Sequence, residues 1–323
     1  MSLVIDGLRK RFDRIQALDD LSLEIPAGHV YGFLGANGAG KTTTMRIALG
    51  VLRADAGTIS WDGTDHRRLR RATWGYLPEE RGLYPKMTVL DQLVFFGRLH
   101  GASADQAARD AQAWLTRLRA PDVANRRAGE LSKGNQQKVQ FLAAVIHDPD
   151  ILLLDEPFTG LDPVNVVLIR QAILELRGRG KTIVLSTHQM ETVEAMCESI
   201  AIIDAGRTVI SGTLRDVKRS TGRQSVVLGI EGQSDLAWVD GIAGVRTLRP
   251  GIDRVELDLE PGTEPGSVLA AAVARGLRVR HFEVTDPTLE QVFIELVGHP
   301  AADDETLAAM APADTGVAAD PAA

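Results

Sequence analysis

The stretch that decides the fold is GANGAGKT at residues 35–42, which directly follows the apolar run Val30–Leu34 and precedes a helical segment. It fits the pattern G-x-x-x-x-G-K-[ST] of a phosphate-binding loop, in which backbone N–H groups surround the phosphates and the helix N-terminus adds its positive end. We expect Lys41 to reach the β- and γ-phosphates and the hydroxyl of Thr42 to ligate Mg²⁺. The loop therefore predicts a nucleoside triphosphate site, but not the task that the nucleotide serves.

A second motif, ILLLDE at residues 151–156, has the form of an apolar strand that ends in two carboxylates. Taken alone, it fits an ordinary buried strand followed by a charged turn. Together with the upstream loop it predicts a Walker B site. In such a site Asp155 holds Mg²⁺ through water, and Glu156 polarises the attacking water as the general base.

Composition and charge narrow the protein class. The 323 residues exceed the roughly 100–200 of one domain, and 44% hydrophobic residues exclude a wholly disordered chain. The net charge is −7, but five acids and no Lys or Arg follow residue 300, so the body is nearly neutral and lacks a basic nucleic-acid footprint. The single cysteine, Cys197, excludes an internal disulfide framework, and we expect it to pack in the interior. The absence of a long apolar run and of a signal-peptide core predicts a cytoplasmic location.

The first region, residues 1–215, alternates short apolar strands with helical patterns, which is typical of an α/β domain. Strands are predicted at Val30–Leu34, 151–154 and 182–185, the last two as continuous apolar runs of the kind that is buried on both faces. A hairpin is predicted across 200–210, with its turn at Ala205-Gly206.

A smaller α+β domain is predicted over residues 222–298, after a linker at 218–223. Its predicted elements are strands near 225–230, 244–249, 253–259 and 279–284 and a helix near 266–275. A last helix carries apolar side chains on one face, which we interpret as this domain's own core: Leu289, Val292, Phe293, Leu296 and Val297. Residues 299–323 are rich in Ala, Asp and Pro and are predicted to be a disordered acidic tail.

The motif LSKGNQQ at residues 131–137 lies between the two nucleotide motifs. Apolar residues at 139, 142, 143 and 146 follow it on one helical face, which places Ser132 at a helix start. Ser132 is there either a simple N-cap or part of a second helix terminus that faces phosphate.

Over residues 3–212 the chain resembles the ATP-binding subunits of ABC transporters, because several motifs occur in that family's order. Phe12 resembles the aromatic residue that stacks on adenine, and residues 131–137 resemble the LSGGQ signature, with Lys133 and Asn135 as departures. Gly160-Leu161-Asp162-Pro163 resembles the D-loop, and His188 resembles the switch histidine. Glu79 stands where the Q-loop usually has glutamine. The fold implied is an ABC-type P-loop NTPase domain with a helical subdomain.

The resemblance also implies the site residues. Glu156, His188 and Asp162 would be catalytic, and Thr42, Asp155 and Glu79 would face Mg²⁺. The residues implied to bind ATP are Phe12, Gly35, Asn37, Gly38, Ala39, Gly40, Lys41, Thr42 and Thr43 of one subunit, and Ser132 and Gly134 of the other. ATP would thus join two copies of the chain, or this chain and a related ATPase, and hydrolysis would release them.

Three further stretches are similar to the ABC-2-type export branch, which includes sodium-export and drug-export ATPases with a small C-terminal domain. They are GYLPEERGLY at 75–84, LSKGNQQK at 131–138 and DPTLEQVF at 286–293. The implied function is an ATP-hydrolysing subunit on the inner face of the cell membrane that powers a separately encoded permease. The segment after Glu79 and the helical residues 88–119 would form the docking region.

Three other functions fit parts of the sequence. A soluble ABC-type ATPase that works on nucleic acid or a protein assembly is disfavoured by the near-neutral body and the lack of a coiled-coil insertion. A silent regulatory module is disfavoured because Glu156 and His188 are both present, and a P-loop kinase leaves residues 131–137 without a role. The basic cluster of Arg67, Arg68, Arg70 and Arg71 could face lipid or nucleic acid, but a solvated helical face is favoured, since no aromatic residues are interleaved with it.

Overall fold

The computed structural model describes residues 1–80, 82–232, 237–250 and 254–298, and the predicted tail lies outside them. The strands in this part of the chain are β1 (Ser2–Phe12), β2 (Ile15–Pro26), β3 (Val30–Leu34), β4 (Ala56–Trp61), β5 (Thr64–Asp65), β6 (Trp74–Leu77), β7 (Ile151–Asp155), β8 (Thr182–Ser186), β9 (Ser199–Asp204), β10 (Arg207–Thr213), β11 (Gln224–Ile230), β12 (Val245–Pro250), β13 (Val255–Leu259) and β14 (Val279–Thr285). The helices are α1 (Lys41–Ala48), α2 (Val89–Leu99), α3 (Ala104–Arg117), α4 (Lys133–Val145), α5 (Pro163–Gly178), α6 (Met190–Met196), α7 (Leu214–Arg219), α8 (Gly266–Ala274) and α9 (Leu289–Val297).

A six-stranded sheet forms the centre of the larger domain, in the order β10-β9-β3-β8-β7-β6. Neighbouring strands in this sheet pair in parallel, except β9 and β10, which form the predicted antiparallel hairpin. The predicted strands β3, β7 and β8 are confirmed, and every residue in them is buried, as continuous apolar runs require. Because parallel strands end at the same edge, the segments that follow β3, β7 and β8 meet there.

An antiparallel sheet in the order β2-β1-β4-β5 covers the N-terminal side of the domain and is not among the predicted strands. Strand β2 alternates buried and exposed residues: Leu21, Leu23 and Ile25 are buried, whereas Ser22 and Glu24 are exposed. This two-residue period is the signal that sequence analysis could have used. Its buried face joins Phe33, Met45 and Val184 in one hydrophobic cluster.

The helical subdomain consists of α2, α3 and α4, and the predicted helical character of residues 88–119 is confirmed. Thr88 and Ser103 cap α2 and α3 by accepting hydrogen bonds from the backbone N–H groups of Asp91 and Gln106, three residues further on. Trp114 of α3 and Phe141 of α4 pack edge to face in the core between the helices. The basic cluster at 67–71 is exposed as expected, but it lies on two short 3₁₀ turns rather than on an α-helix.

The small C-terminal domain is an antiparallel sheet in the order β12-β13-β11-β14 with α8 packed on it, close to the predicted elements. Its own hydrophobic cluster includes Val226, Leu228, Leu257 and Val268. Helix α7 occupies the start of the segment predicted as a linker. The domain boundaries at 215 and 222 stay a prediction.

The interpretation of the last helix as the small domain's own core is wrong. Leu289, Val292 and Phe293 of α9 are fully buried, but they belong to the hydrophobic cluster of the ATPase domain. They pack with Met196 of α6 and Val217 of α7 in that cluster. The reason is hydrophobic burial: after β14 the chain returns to the larger domain, where the apolar face of α9 packs on α6 and α7.

Candidate functional site

The phosphate-binding loop joins β3 to α1 and fits tightly against two other segments. Gly40 has φ 107°, and a Cβ there would lie 2.8 Å from the carbonyl oxygen of Ala17. A Cβ at Gly35 would lie 2.5 Å from the carbonyl oxygen of Ile203. Both positions therefore require glycine, and the loop is held by β2 on one side and β9 on the other.

Lys41 is buried at the start of α1. Its Nζ donates hydrogen bonds to the carbonyl oxygens of Gly35, at 2.7 Å, and Ala36, at 3.1 Å. Burial lowers the pKa of Lys41, and the carboxylates of Glu156 and Asp155 act in the opposite direction. The ammonium group thus sits inside the curve of the loop, where a phosphate oxygen could replace the carbonyl oxygens as its acceptor.

A cleft of about 230 Å³ opens over the loop at the carboxyl edge of the central sheet. It unites side chains from four separate segments, and its lining residues are Ala17, Asn37, Gly38, Gly40, Lys41, Thr42, Thr43, Glu79, Asp155 and Glu156. Nine of these ten residues are ATP, metal or catalytic residues predicted from the sequence, and Ala17 is the exception.

The oxygen ligands in the cleft suit a small hard cation. The Thr42 hydroxyl donates a 2.7 Å hydrogen bond to Oδ2 of Asp155, and Glu79 lines the same cleft. Among the described residues no group of three or more His, Cys, Asp or Glu side chains could hold a metal ion. Mg²⁺ commonly binds through one or two protein oxygens plus waters and substrate phosphates, so these residues fit a magnesium ion that arrives with a nucleotide.

Glu156 follows β7 in a left-handed backbone conformation, with φ 48°. Its N–H donates to the carbonyl oxygen of Ser186, which fixes the turn to the end of β8. Its Oε1 accepts a 3.1 Å hydrogen bond from the N–H of His188 and lies 2.9 Å from the imidazole Nδ1. The Thr187 hydroxyl donates to Oε2 at 3.3 Å. The structure therefore brings the predicted base and the predicted switch histidine into direct contact.

Other predicted residues lie outside the cleft lining. Ala39 is buried within the loop, and Phe12 lies exposed at the tip of the β1–β2 hairpin whose Ala17 lines the cleft. Ser132 caps α4, and Asp162 caps α5 by accepting from the N–H of Asn165. The helix-start prediction for Ser132 is thus confirmed. Stacking of Phe12 on adenine stays a prediction.

One residue near the site was missed from sequence. Gln140 of α4 donates from Nε2 to the carbonyl oxygens of Pro78, at 2.9 Å, and Glu80, at 2.8 Å, which flank Glu79. It thereby ties the helix that begins at Ser132 to the segment that carries Glu79. Gln136 and Gln137 lie one turn before Gln140 on the same side of the helix, so no local pattern singles out Gln140.

Comparisons with known proteins agree with this geometry. Residues 18–159 match the family model described as ABC transporter, and residues 212–297 match the C-terminal domain of DrrA1-3-like ATP-binding proteins. An uncharacterized ABC transporter ATP-binding protein of Bacillus subtilis is 44% identical over 92% of this chain and 98% of its own length. The daunorubicin resistance ATP-binding protein DrrA3 of Streptomyces coeruleorubidus is 32% identical over 92% of this chain and 96% of its own length.

A solved ATP-binding subunit of an ABC transporter superposes with a TM-score of 0.65 and 30% identity, covering 69% of this chain and 94% of that one. No helix in the described part of the chain combines the length and the apolar character that crossing a bilayer requires. Proteins of this family hydrolyse ATP to drive transport, and they generally pair with transmembrane permeases and form dimers. The nucleotide cleft, the motif order and the relatives together show that this chain belongs to the ATP-binding proteins of ABC transporters, in the branch that resembles ABC-2-type exporters.

Proposed function

We propose that this chain is the ATP-hydrolysing motor of an export permease. The observation that carries the proposal is the convergence of Lys41, Thr42, Asp155 and Glu156 on one cleft, with His188 in contact with Glu156. Lys41 and the loop N–H groups would hold the β- and γ-phosphates, and Glu156 would take a proton from the attacking water. His188 would hydrogen-bond the γ-phosphate.

Mg²⁺ would be held by Thr42 and Asp155, and by Glu79, and would neutralise charge on the phosphates. A glutamate at position 79 adds a negative charge where an amide is usual in the family. The carboxylates of Glu79, Asp155 and Glu156 all repel the phosphates. ATP binding therefore depends more strongly on a cation than it would with two carboxylates in the cleft.

A second copy of the chain, or a related ATPase, would complete the site. Ser132 and Gly134 lie outside the cleft lining of their own chain, at the exposed start of α4. Gly134 lies close to α5, the helix that begins at Pro163 of the D-loop. A Cβ on Gly134 would lie 3.3 Å from Nδ2 of Asn165 on this helix. The backbone N–H groups at this helix start are suited to the γ-phosphate of a nucleotide on the opposite subunit.

A groove of about 430 Å³ between the central domain and the helical subdomain is the proposed permease dock. Val51 on one wall and Leu99 on the other are 68% and 67% exposed, although both are aliphatic. Tyr84, Phe95 and Phe96 form an aromatic cluster beside it. Exposed apolar side chains of this kind mark a protein interface, here with a helix at the cytoplasmic end of a permease.

The test is co-purification from detergent-solubilised membranes of the native host. We expect the tagged wild-type chain to bring down a polytopic permease, identified by mass spectrometry. Val51→Glu and Leu99→Glu should lose it, because each places a charge in the apolar groove, whereas Val209→Glu, at an exposed valine of β10, should retain it. Wild-type recovery of the permease by both groove variants would contradict the dock, and a wild-type chain that never associates with a membrane protein would contradict the function.

A further inference from the structure

Helix α6, which begins immediately after His188 and Gln189, has little stability of its own. It has seven residues, and no side chain caps its start. Isolated helices shorter than about 12–15 residues are marginal in water, so packing must set the position of α6. The His188 side chain is 44% exposed, so little packing holds it. Its position therefore depends on its backbone and on its contact with Glu156.

One face of α6 packs on the strand that leads into the phosphate-binding loop. A Cβ at Gly32 of β3 would lie 2.9 Å from Cγ1 of Val193 and 3.3 Å from Sγ of Cys197. Cys197 is buried as expected, and burial raises the pKa of its thiol, so it is an inert packing group. This contact fixes the depth of α6 against the sheet but covers only one side of the helix.

The other side of α6 is covered by α9, the last helix of the C-terminal domain. Leu289 and Phe293 are buried in the same cluster as Met190 and Met196, the first and last residues of α6. Glu194 of α6 accepts a 2.5 Å hydrogen bond from the Leu289 N–H, one of the backbone donors that a helix start leaves free.

Further ion pairs hold α9 and its preceding loop in this place. Glu194 also pairs with Lys218 of α7 at 3.4 Å, and Arg219 of α7 pairs with Asp286 at 2.8 Å. Arg223 pairs with Glu295 of α9 at 2.9 Å. Apolar burial on one side and charged contacts along the edge therefore fix α9 against α6 and α7.

We propose that α9 is a positioning element of the ATPase site, which sets α6 and through it the place of His188 beside Glu156. Leu289, Phe293 and Glu194 are the positioning residues, and none of them touches the nucleotide cleft. The C-terminal domain thus acts on the rate of hydrolysis from a distance. The inference rests on the proposed role of His188.

The experiment compares Phe293→Ala with Ile294→Ala in the purified full chain. Phe293 is buried in the contact, whereas its neighbour Ile294 is 40% exposed on the same helix, so only Phe293→Ala removes a buried side chain from the contact. Phe293→Ala should lower kcat about tenfold or more, because small misplacements of a reacting group are costly. KM for ATP should stay within about twofold, since the loop that binds the phosphates is untouched. Ile294→Ala should keep the wild-type kcat.

A double-mutant comparison separates positioning from general destabilisation. In a His188→Ala background, Phe293→Ala should give no further loss of the residual single-turnover rate, because residues that act as a unit are not additive. An equal loss in that background, or a wild-type kcat in Phe293→Ala, overturns the proposal. If Phe293→Ala does not fold, Glu194→Ala gives the same test through the polar contact. Wild-type hydrolysis by His188→Ala would instead overturn the role of His188 in the proposed function.

Discussion

Glu79 is the cleft residue that stands where a Q-loop usually has glutamine. Its carboxylate shares the cleft with Asp155 and Glu156, and all three carboxylates act on the pKa of Lys41 in the same direction. The hydrogen bonds from Gln140 to the carbonyl oxygens on either side of Glu79 hold its backbone in place. A conservative change at this residue therefore alters charge without moving the loop.

Glu79→Gln should retain ATP binding, because the loop ligands remain, and should change turnover or the preference between Mg²⁺ and Mn²⁺. Removing one carboxylate reduces repulsion of the phosphates, so a several-fold lower KM for ATP is expected at low salt. Steady-state kinetics with each metal provide the measurement, with Glu80→Gln, at the exposed neighbouring glutamate, as the control. Identical kinetics with both metals in Glu79→Gln and wild type would place Glu79 away from the cation.

His147 is a partly buried histidine outside the catalytic cleft whose protonation we expect to affect stability. It stacks on His100 with ring centroids 3.8 Å apart, and its Nε2 lies 3.0 Å from the Trp74 carbonyl oxygen. Burial lowers the pKa of His147 from 6.5 to about 4, with a smaller lowering from His100 and Lys181. The Trp74 carbonyl and Asp148 act in the opposite direction. The folded chain therefore favours the neutral imidazole.

The unfolded chain binds a proton at position 147 below about pH 6.5 that the folded chain does not bind until about pH 4. Above pH 6.5 neither state is protonated at this residue, and a penalty on the folded state grows as the pH falls from 6.5 to about 4. We expect about 2 kcal/mol of acid destabilisation from this residue, a figure reduced for partial exposure. His147→Gln should flatten the dependence of the urea midpoint on pH between 7 and 4.5.

A matched His281→Gln variant, which removes an imidazole from the small domain, controls for the general loss of a histidine. A pH dependence in His147→Gln as steep as that of wild type would show that the proton uptake on unfolding occurs elsewhere in the chain.

Among the helices, α9 follows the small domain in sequence but packs into the hydrophobic core of the larger domain. A capping box between Thr288 and Gln291 starts the helix, and Gly298, with φ 75°, caps its end. Local sequence signals therefore mark both ends of α9. Its buried side chains nevertheless complete the ATPase cluster and not the cluster of the domain that precedes it. Deleting the C-terminal domain would therefore uncover an apolar face of the larger domain.

A chain that ends at Thr221 should still bind ATP, because every proposed phosphate ligand remains, but it should be less stable. Leu289, Val292 and Phe293 each contribute about 1.5–3 kcal/mol by burial, so a drop in Tm of about 10 °C or more is expected. A chain that ends at Gly298 serves as the control and should match the full chain in Tm. Calorimetry and nucleotide titration provide the measurements. Loss of ATP affinity on ending at Thr221 would show that the second domain helps to build the site.

The whole molecule offers two half-sites on different surfaces: the cleft over the phosphate-binding loop and the exposed start of α4. A symmetric dimer places the same patch of each copy against the other, so two copies would form two complete sites. Slow hydrolysis is needed to observe this assembly, because turnover releases it. Glu156→Gln removes the proposed base, and the amide oxygen can still accept from the His188 N–H.

Glu156→Gln should bind Mg-ATP, lose about a hundredfold or more in hydrolysis and form an ATP-dependent dimer. Adding Gly134→Asp should abolish the dimer, because the new carboxylate faces the partner's phosphates, while each chain still binds ATP. Gly178→Asp on α5, where a Cβ meets nothing within 4 Å, is the matched control and should leave the dimer intact. Light scattering with and without ATP decides between these outcomes, and a dimer that survives Gly134→Asp would contradict the two-chain site.

Several features followed from local patterns alone. The glycines and Lys41 of the loop, the apolar runs of β7 and β8 and the helix start at Ser132 are set by residues close together in the chain. Backbone freedom, strand burial and capping depend on such neighbours, so their elements appear in the structure as expected. The convergence of the loop with Asp155 and Glu156, which lie far apart in the chain, also followed, because parallel strands end at one edge of the sheet.

Other features depended on contacts between distant segments. The spacing of apolar residues in α9 predicted an apolar face but not the domain against which it packs, since burial against either domain satisfies the same pattern. The bridge from Gln140 to the carbonyl groups beside Glu79, and the contact of His188 with Glu156, require helices and strands to be placed before any hydrogen bond can form. Hydrophobic burial is non-directional, so the sequence marked which residues would be buried, and only the packed structure settled what they are buried against.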